Sequence, residues 1–408
     1  MRAAAFLYPW DVIGDPEAAP RLAGLGIGQV TLASAYHSTR ALTPRHPAHR
    51  VVTARHSAVL YPPEARHWQG RALRPCGQQD WAVSGHPGGA FGEAAEALAE
   101  AGLRVHSWAV LAHDSRLGGE FPQLTVENAY GDRYPWAPCV AQPRVREYLV
   151  ALAAEAGARP GAEGTELESC GWYGFAHLHA HDKTRGVELG GAGEYAMSLC
   201  FCEHCRAGYE GEGADPERLR TEVRRALAPL WRGERPEMTA PGASRARERE
   251  LIGELLGEYA EAVARWRGAA ARRLRREAVA AVRERAAREG AGQFRVLLHA
   301  DPAAHRTGAN AGTDPAEARE DADGVVVPCA GGAEERTEAL TPFAAAGRGA
   351  GTLAANFPIV SGMGGSPESL AADAAHAADL GATELRLYHA GLASDADLEH
   401  VRRCPFAT

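Results

Sequence analysis

Gly351-Thr352-Leu353-Ala354-Ala355-Asn356, then Ser366-Pro367-Glu368, then Gly381, then Glu384-Leu385-Arg386-Leu387-Tyr388 is one strand–helix–strand unit. Serine, proline and an early acid start the helix, and the glycine ends it before the next strand. The same grammar runs back through the chain. Upstream strand patterns are Ala3–Tyr8, Gln29–Ala35, Arg104–Leu111, Thr165–Ser169, Phe294–His299 and Gly324–Val327. Helical patterns lie between most of them. One begins near Phe91 and closes at Gly102, and another starts at Asp215-Pro216-Glu217. Alternation of this kind implies a parallel sheet, and eight repeats imply closure. The expectation is an α/β protein, a (β/α)8 TIM barrel, with residues 1–408 as one domain. An open doubly wound sheet is the alternative. No GxGxxG follows a strand, so its dinucleotide-binding form loses ground.

Two stretches exceed ordinary connections. Residues 206–290 predict a helical insertion between strands 4 and 5. One helix should cover about Glu217 to Trp231, followed by a break at Pro236 and Pro241 and a long helix to about Glu289. Leu251, Leu255, Tyr259, Val263, Trp266, Ala270 and Leu274 give that helix one apolar stripe. It packs on the barrel or, on a sharper reading, joins two copies in a homo-oligomer. The second stretch, Tyr36 to Trp81, carries His37, His46, His49, His56 and His67 with a short strand pattern at Ala58-Val59-Leu60. It follows the second strand and should lie over the barrel mouth, where long loops are usually functional.

The 408 residues are 45% hydrophobic and 24% charged, ordinary for a globular chain. A net charge of -8 provides no global field for nucleic acid or anionic lipid. No run reaches the ~20 apolar residues of a membrane span. The N-terminus through Trp10 is too short and too soon interrupted for a signal peptide, so a cytoplasmic location is expected. There, eight cysteines should stay thiols or bind metal.

Cys200-Phe201-Cys202-Glu203-His204-Cys205 is the sharpest local signal. Three thiols within six residues can converge on one soft ion, and zinc closes such a tetrahedron with a fourth ligand. Cys139, Cys170 and His204 are candidates for that ligand, and reduced cysteines without metal are the plainer alternative. The CxCxxC run with an earlier cysteine resembles the four-cysteine zinc site of glycoside hydrolase family 42 β-galactosidases. Asn128 to Cys139, followed by Gln142-Pro143-Arg144-Val145-Arg146, is similar to related hydrolase-like barrels. The resemblance implies Cys139, Cys200, Cys202 and Cys205 as ligands of a structural zinc.

Thr165-Glu166-Leu167-Glu168-Ser169 puts two acids on one face of the fourth strand, with Leu167 on the other. Buried acids are costly unless used or paired. Glu168 is nearer the strand's C-terminal end, where barrel active sites are built. It resembles the acid/base position of barrel glycosidases; an ion pair with an arginine is the alternative. The family 42 resemblance implies a nucleophilic glutamate ending the seventh strand. Here that end reads Ala355-Asn356-Phe357-Pro358, without an acid. Asp301 is the preferred second carboxylate and Asp11 another, while Glu384 should lie at the wrong end. His177, His179, His181 and Asp182 could form a metal comb. Trp172 and Tyr173 are expected stacking platforms. Trp10, His37, Arg40, His106, Trp108, His113, Asp114, Asn356, Tyr388 and His389 complete the expected mouth, with His177 and His179 also offered to substrate. This set predicts a glycoside hydrolase acting on an oligosaccharide or glycosylated small molecule. A metal-dependent sugar lyase or isomerase, using the histidine comb with Asp301, is one rival. A non-catalytic carbohydrate-binding pseudoenzyme is the other.

Overall fold

The computed structural model describes residues 1–77, 84–176, 182–184, 186–237, 242–347 and 351–406. Parallel strands β1 (Arg2–Leu7), β2 (Gln29–Tyr36), β3 (Arg104–Val110), β4 (Gly164–Glu168), β5 (Arg295–Asp301), β6 (Gly324–Pro328), β7 (Thr352–Pro358) and β8 (Glu384–Tyr388) pair in chain order. β1 pairs with both β2 and β8, so the sheet closes into a barrel. Helices Ala18–Ala23, Gly89–Glu100, Pro143–Gly157, Ala260–Arg288, Pro315–Asp321, Ala333–Ala346, Leu370–Asp379 and Asp395–Arg402 follow the strands in turn. Strands covered on both faces read as continuous apolar runs, as in Val325-Val326-Val327, which is fully buried.

Between β4 and β5 lie helices Gly190–Met197, Glu203–Gly211, Pro216–Trp231 and Arg245–Leu256, then Ala260–Arg288. The Asp215 carboxylate caps the helix Pro216–Trp231 by accepting from the Glu217 and Arg218 N–H groups. The single long helix expected after Pro241 is broken at Gly257, whose φ of 53° lies in the region that glycine enters most readily. The helix before β8 begins as a 3-10 turn at Pro367–Ser369, not on a Ser366 side-chain cap. In the stretch after β2, Thr39–Leu42 and Val51–Ala54 form an antiparallel hairpin. Ala58–Val59 adds antiparallel to the end of β2. No helix among the described residues is long and apolar enough to cross a membrane.

The barrel interior is filled in layers by side chains of alternate residues, as closed eight-stranded barrels require. Aromatic groups, among them Phe6, Tyr8, Tyr36 and Trp108, pack on one side of the upper interior. Leu297, Val326 and Ala354 form an aliphatic patch. Between them is a chain of charge. Arg386 Nε donates to Glu166 Oε1 at 2.6 Å, and its NH1 donates to Glu384 Oε2 at 3.0 Å. Thr31 Oγ1 donates to the same Glu166 oxygen at 3.1 Å. Lower still, Arg295 reaches Glu384 at 2.9 Å and Gln29 at 3.2 Å. Gly164 makes room for this layer, because a Cβ there would stand 2.6 Å from His106 Nε2. Leu167 turns outward into the core under the helices.

Removing one partner of a buried ion pair strands the other charge in low dielectric. Arg386→Met should therefore destabilise the fold by about 3–5 kcal/mol in urea melts. A loss within the ~1 kcal/mol of an exposed pair would mean that the interior charges do not hold the barrel.

Candidate active site

Strand alternation places Glu166 and Glu168 on the inner face of β4, two residues apart in height, and their surroundings separate their chemistry. Burial alone would raise the Glu166 pKa. Arg386, with His299 and His106, outweighs it and holds the group at about 2. Glu168 has no guanidinium partner among the described residues, and His299 Nδ1 stands 3.9 Å from its Oε2. Burial lifts its pKa above the ordinary carboxylate range, against weaker opposing pulls from His299 and the Trp108 N–H. Trp108 Nε1 donates to Glu168 Oε2 at 2.9 Å. The result is one carboxylate fixed as an anion below one that favours its proton, an arrangement suited to a proton donor. Ser169, directly after Glu168, has φ 53°. A non-glycine residue held there costs about 1–3 kcal/mol and is characteristic of functional sites.

Above Glu168 the mouth is aromatic. Tyr8 Oη lies 2.9 Å from Tyr36 Oη and 3.2 Å from His389 Nε2. Burial raises the Tyr8, Tyr36 and Tyr388 pKa values, so the phenols remain protonated donors. Burial lowers the His389 pKa, leaving a neutral ring. A stacked wall then runs outward. Tyr36 meets His37 at 4.2 Å, His37 meets His113 at 4.4 Å, and His113 stacks on Tyr173 at 4.4 Å. His37, His113, Tyr173, Glu188, Glu194 and Thr307 line a cleft of about 560 Å³ beside this wall. A second cleft of about 700 Å³ shares Glu188 and Glu194 and extends to Arg245.

The other expected site residues divide. Trp10 is buried and stacks on Tyr8 at 4.1 Å. Tyr388 ends β8 and Asn356 lies two residues before the end of β7, and the buried Asn356 Oδ1 has no hydrogen-bond partner among the described residues. Arg40 is exposed on the hairpin Thr39–Leu42. His177, His179 and His181 lie outside the described residues.

Five of the expected residues have partners that the sequence did not reveal. Trp172 is buried, donates Nε1–H to Arg267 O at 2.9 Å and carries the Arg267 guanidinium over its ring at 4.5 Å. It braces the loop against the long helix and offers no open face. His106 sits one layer too deep, 3.9 Å from Glu166, where burial drops its pKa to about 3. Asp114 caps the helix Ser115–Glu120 through the Leu117 N–H at 2.9 Å. Asp11 accepts from the Tyr8 N–H at 2.8 Å and is packed against Gly391; burial raises its pKa to about 7. Asp301 ends β5, but Arg245 grips both its oxygens, with the closest contact at 2.9 Å, and the Ala303 N–H takes Oδ1 at 2.9 Å. Tyr8, Tyr36, His299, Glu188 and Glu194 were not singled out from sequence. The inward parity of β1, β2 and β5 could have marked the first three.

Cys139, Cys200, Cys202 and Cys205 meet in a buried cluster, all four sulfurs within 4.8 Å of one another. Cys139 Sγ lies 3.6 Å from Cys200 and Cys205 and 3.7 Å from Cys202. A tetrahedral four-thiolate ion with ~2.3 Å bonds has sulfur–sulfur edges of about 3.8 Å. The donor set and spacing are therefore compatible with a metal site of the zinc type. Hydrogen bonds shared among the thiols lower the Cys202 pKa and, with burial, raise those of Cys139 and Cys205, so the cluster favours one thiolate held by its neighbours. Cys139 follows the hairpin of Thr125–Glu127 with Arg133–Pro138, and Cys202 directly precedes the helix Glu203–Gly211. The cluster thus joins the β3–β4 connection to the β4–β5 connection. The same hairpin supports the loop after Glu168, with Trp136 Nε1 donating to Gly174 O at 2.8 Å.

No protein-family model matches the sequence. No curated protein matches it in sequence either. Solved structures do share the fold, and glycoside hydrolases are among them. A β-galactosidase from the psychrophilic Marinomonas ef1 has TM-score 0.54 and 11% identity over 98% of this chain and 58% of its own. A family 42 β-galactosidase from G. stearothermophilus has TM-score 0.52 and 10% identity over 98% of this chain and 55% of its own. The glycoside hydrolase domain of PgaB (BpsB) from Bordetella bronchiseptica has TM-score 0.53 and 13% identity over 100% of this chain and 99% of that domain. This chain thus spans little more than half of either β-galactosidase, and identities this low establish likeness of fold alone.

Metal content tests the cysteine cluster. The purified chain should hold one thiophilic divalent ion. Cys202→Ser should release it and lower Tm, because binding energy at such a site is folding energy. A metal-free chain whose Tm does not change on substitution would reduce the cluster to buried thiols.

Proposed function

We propose that the chain is a glycosidase-like enzyme that cleaves a glycosidic bond with Glu168 as proton donor and acceptor. The observation that carries this reading is the contrast within β4: Glu166 is neutralised by Arg386, whereas Glu168 is buried at the mouth with a raised pKa. Glycoside hydrolysis uses such a carboxylic acid to protonate the leaving oxygen. The stacked wall ending at His113 and Tyr173 supports recognition of a sugar ring, whose apolar face suits aromatic contact. The two joined clefts support an oligosaccharide over a single ring. Zinc, in this reading, is held by the four cysteines and braces the loops around the mouth; an all-thiolate ion has no open position for chemistry.

The second carboxylate is drawn from Asp301, Glu188 and Glu194. Asp301 must release Arg245 before it can attack or activate water, while Glu188 and Glu194 already line the cleft. A second reading, a carbohydrate-binding protein without hydrolysis, draws on two facts. Glu168 is only 6% exposed, and Asp301 is fully engaged.

A panel of aryl glycosides separates the readings. Wild type should release aglycone from at least one member. Glu168→Gln should lower kcat by roughly 10²–10⁴-fold, the usual contribution of general acid–base catalysis. Because the acid form is the active one, the rate should fall as pH rises through the raised Glu168 pKa. Saccharide binding that survives Glu168→Gln, with no turnover by wild type on any glycoside, would establish the binding protein instead.

A further inference from the structure

We propose that His299 is a positioning residue that couples the two barrel carboxylates: its ring spans Glu166 and Glu168, and through it the fixed Glu166–Arg386 pair governs the Glu168 proton. The inference rests on the reading of Glu168 as proton donor. His299 sits on β5, the neighbour of β4, and is 2% exposed. Its Nε2 is 3.4 Å from Glu166 Oε2 and its Nδ1 is 3.9 Å from Glu168 Oε2. Neither His299 Nε2 nor Glu166 Oε2 has a hydrogen-bond partner of good geometry among the described residues, so the two atoms face each other unsatisfied. Phe6 holds the ring edge-on at 5.6 Å and restricts its rotation.

The other groups facing Glu168 do not replace His299. β1 contributes Tyr8, β2 Tyr36, β8 Tyr388 and the loop after β4 Tyr173, all phenols kept protonated by burial. β3 contributes the Trp108 N–H, a neutral donor. On the layer below, His106 faces Glu166, and Arg386 is shared between Glu166 and Glu384. His299 is a group able to carry a positive charge 3.9 Å from Glu168, and a cation there favours the Glu168 anion. Such a link would let the general acid regain its proton from a group already beside it.

Infrared difference spectra of the intact protein across pH read the Glu168 carboxyl directly, assigned by the band that Glu168→Gln removes. His299→Gln keeps a hydrogen-bonding side chain without the charge. It should raise the Glu168 midpoint by about one pH unit or more. A purely structural His299 would lower Tm and leave the midpoint in place, which would overturn the inference. In wild type, imidazole nitrogen NMR should show His299 responding at the same midpoint as Glu168, as coupled groups do. A His299 ring silent through the Glu168 titration would also overturn it, and that readout needs no variant to fold. Neither readout depends on turnover. A coupled titration in a chain without hydrolase activity would uphold the link and defeat the hydrolase reading alone.

Discussion

Glu166 lies fully buried inside a closed barrel, and the contact of 2.6 Å with Arg386 is what makes that possible. An isolated carboxylate in this position would take up a proton or unfold the barrel. The pair therefore keeps Glu166 ionised, with its charge balanced, at the centre of the molecule and joins β4 to β8 across the interior. Everything above it is arranged around that charge. Glu168, one step up the strand, is left without a guanidinium of its own. His299 stands between the two acids, and the aromatic side chains of β1, β2, β3 and β8 pack together beside them. On the proposed reading, the same strand carries one acid for architecture and one for chemistry.

The mouth depends on loops that a barrel does not by itself hold still. Here the four cysteines tie the β3–β4 hairpin to the connection that leaves β4. Trp136 and Trp172 extend this bracing on either side of the turn after Glu168, one to Gly174 and one to the long helix through Arg267. Tyr173, between those anchored residues, continues the stacked wall with His113. Strain at Ser169 is tolerated because its N–H is fixed to Ala309 O at 2.9 Å, on the loop after β5.

The barrel was legible because parallel strands buried on both faces leave continuous apolar runs, and because proline, acid and glycine mark the helix ends. The inward parity of Glu166 and Glu168 followed from strand geometry alone. The convergence of four thiols was legible in part, since three lie within six residues and resemblance supplied Cys139. What stayed hidden were long-range partners. Arg386 is 220 residues from Glu166 and reads in sequence as one more strand residue. Trp172 resembled a stacking platform because its partner, Arg267, lies on a helix 95 residues away. Asp301 looked like an available acid because nothing in its neighbourhood announces Arg245, which comes from the helix Arg245–Leu256. The break at Gly257 was missed because the apolar stripe continues on both sides of it.

The most direct test is a crystal structure of Glu168→Gln with an oligosaccharide in the cleft, measured for one gap. The account predicts a sugar ring against His113 and Tyr173, with the side chain of residue 168 at the glycosidic oxygen and a second carboxylate on the far side of the bond. A separation of ~5–5.5 Å would assign retention and ~6.5–9.5 Å inversion, and either would name that carboxylate. A sugar bound away from residue 168, or no carboxylate across the bond within that range, would contradict the two-acid account.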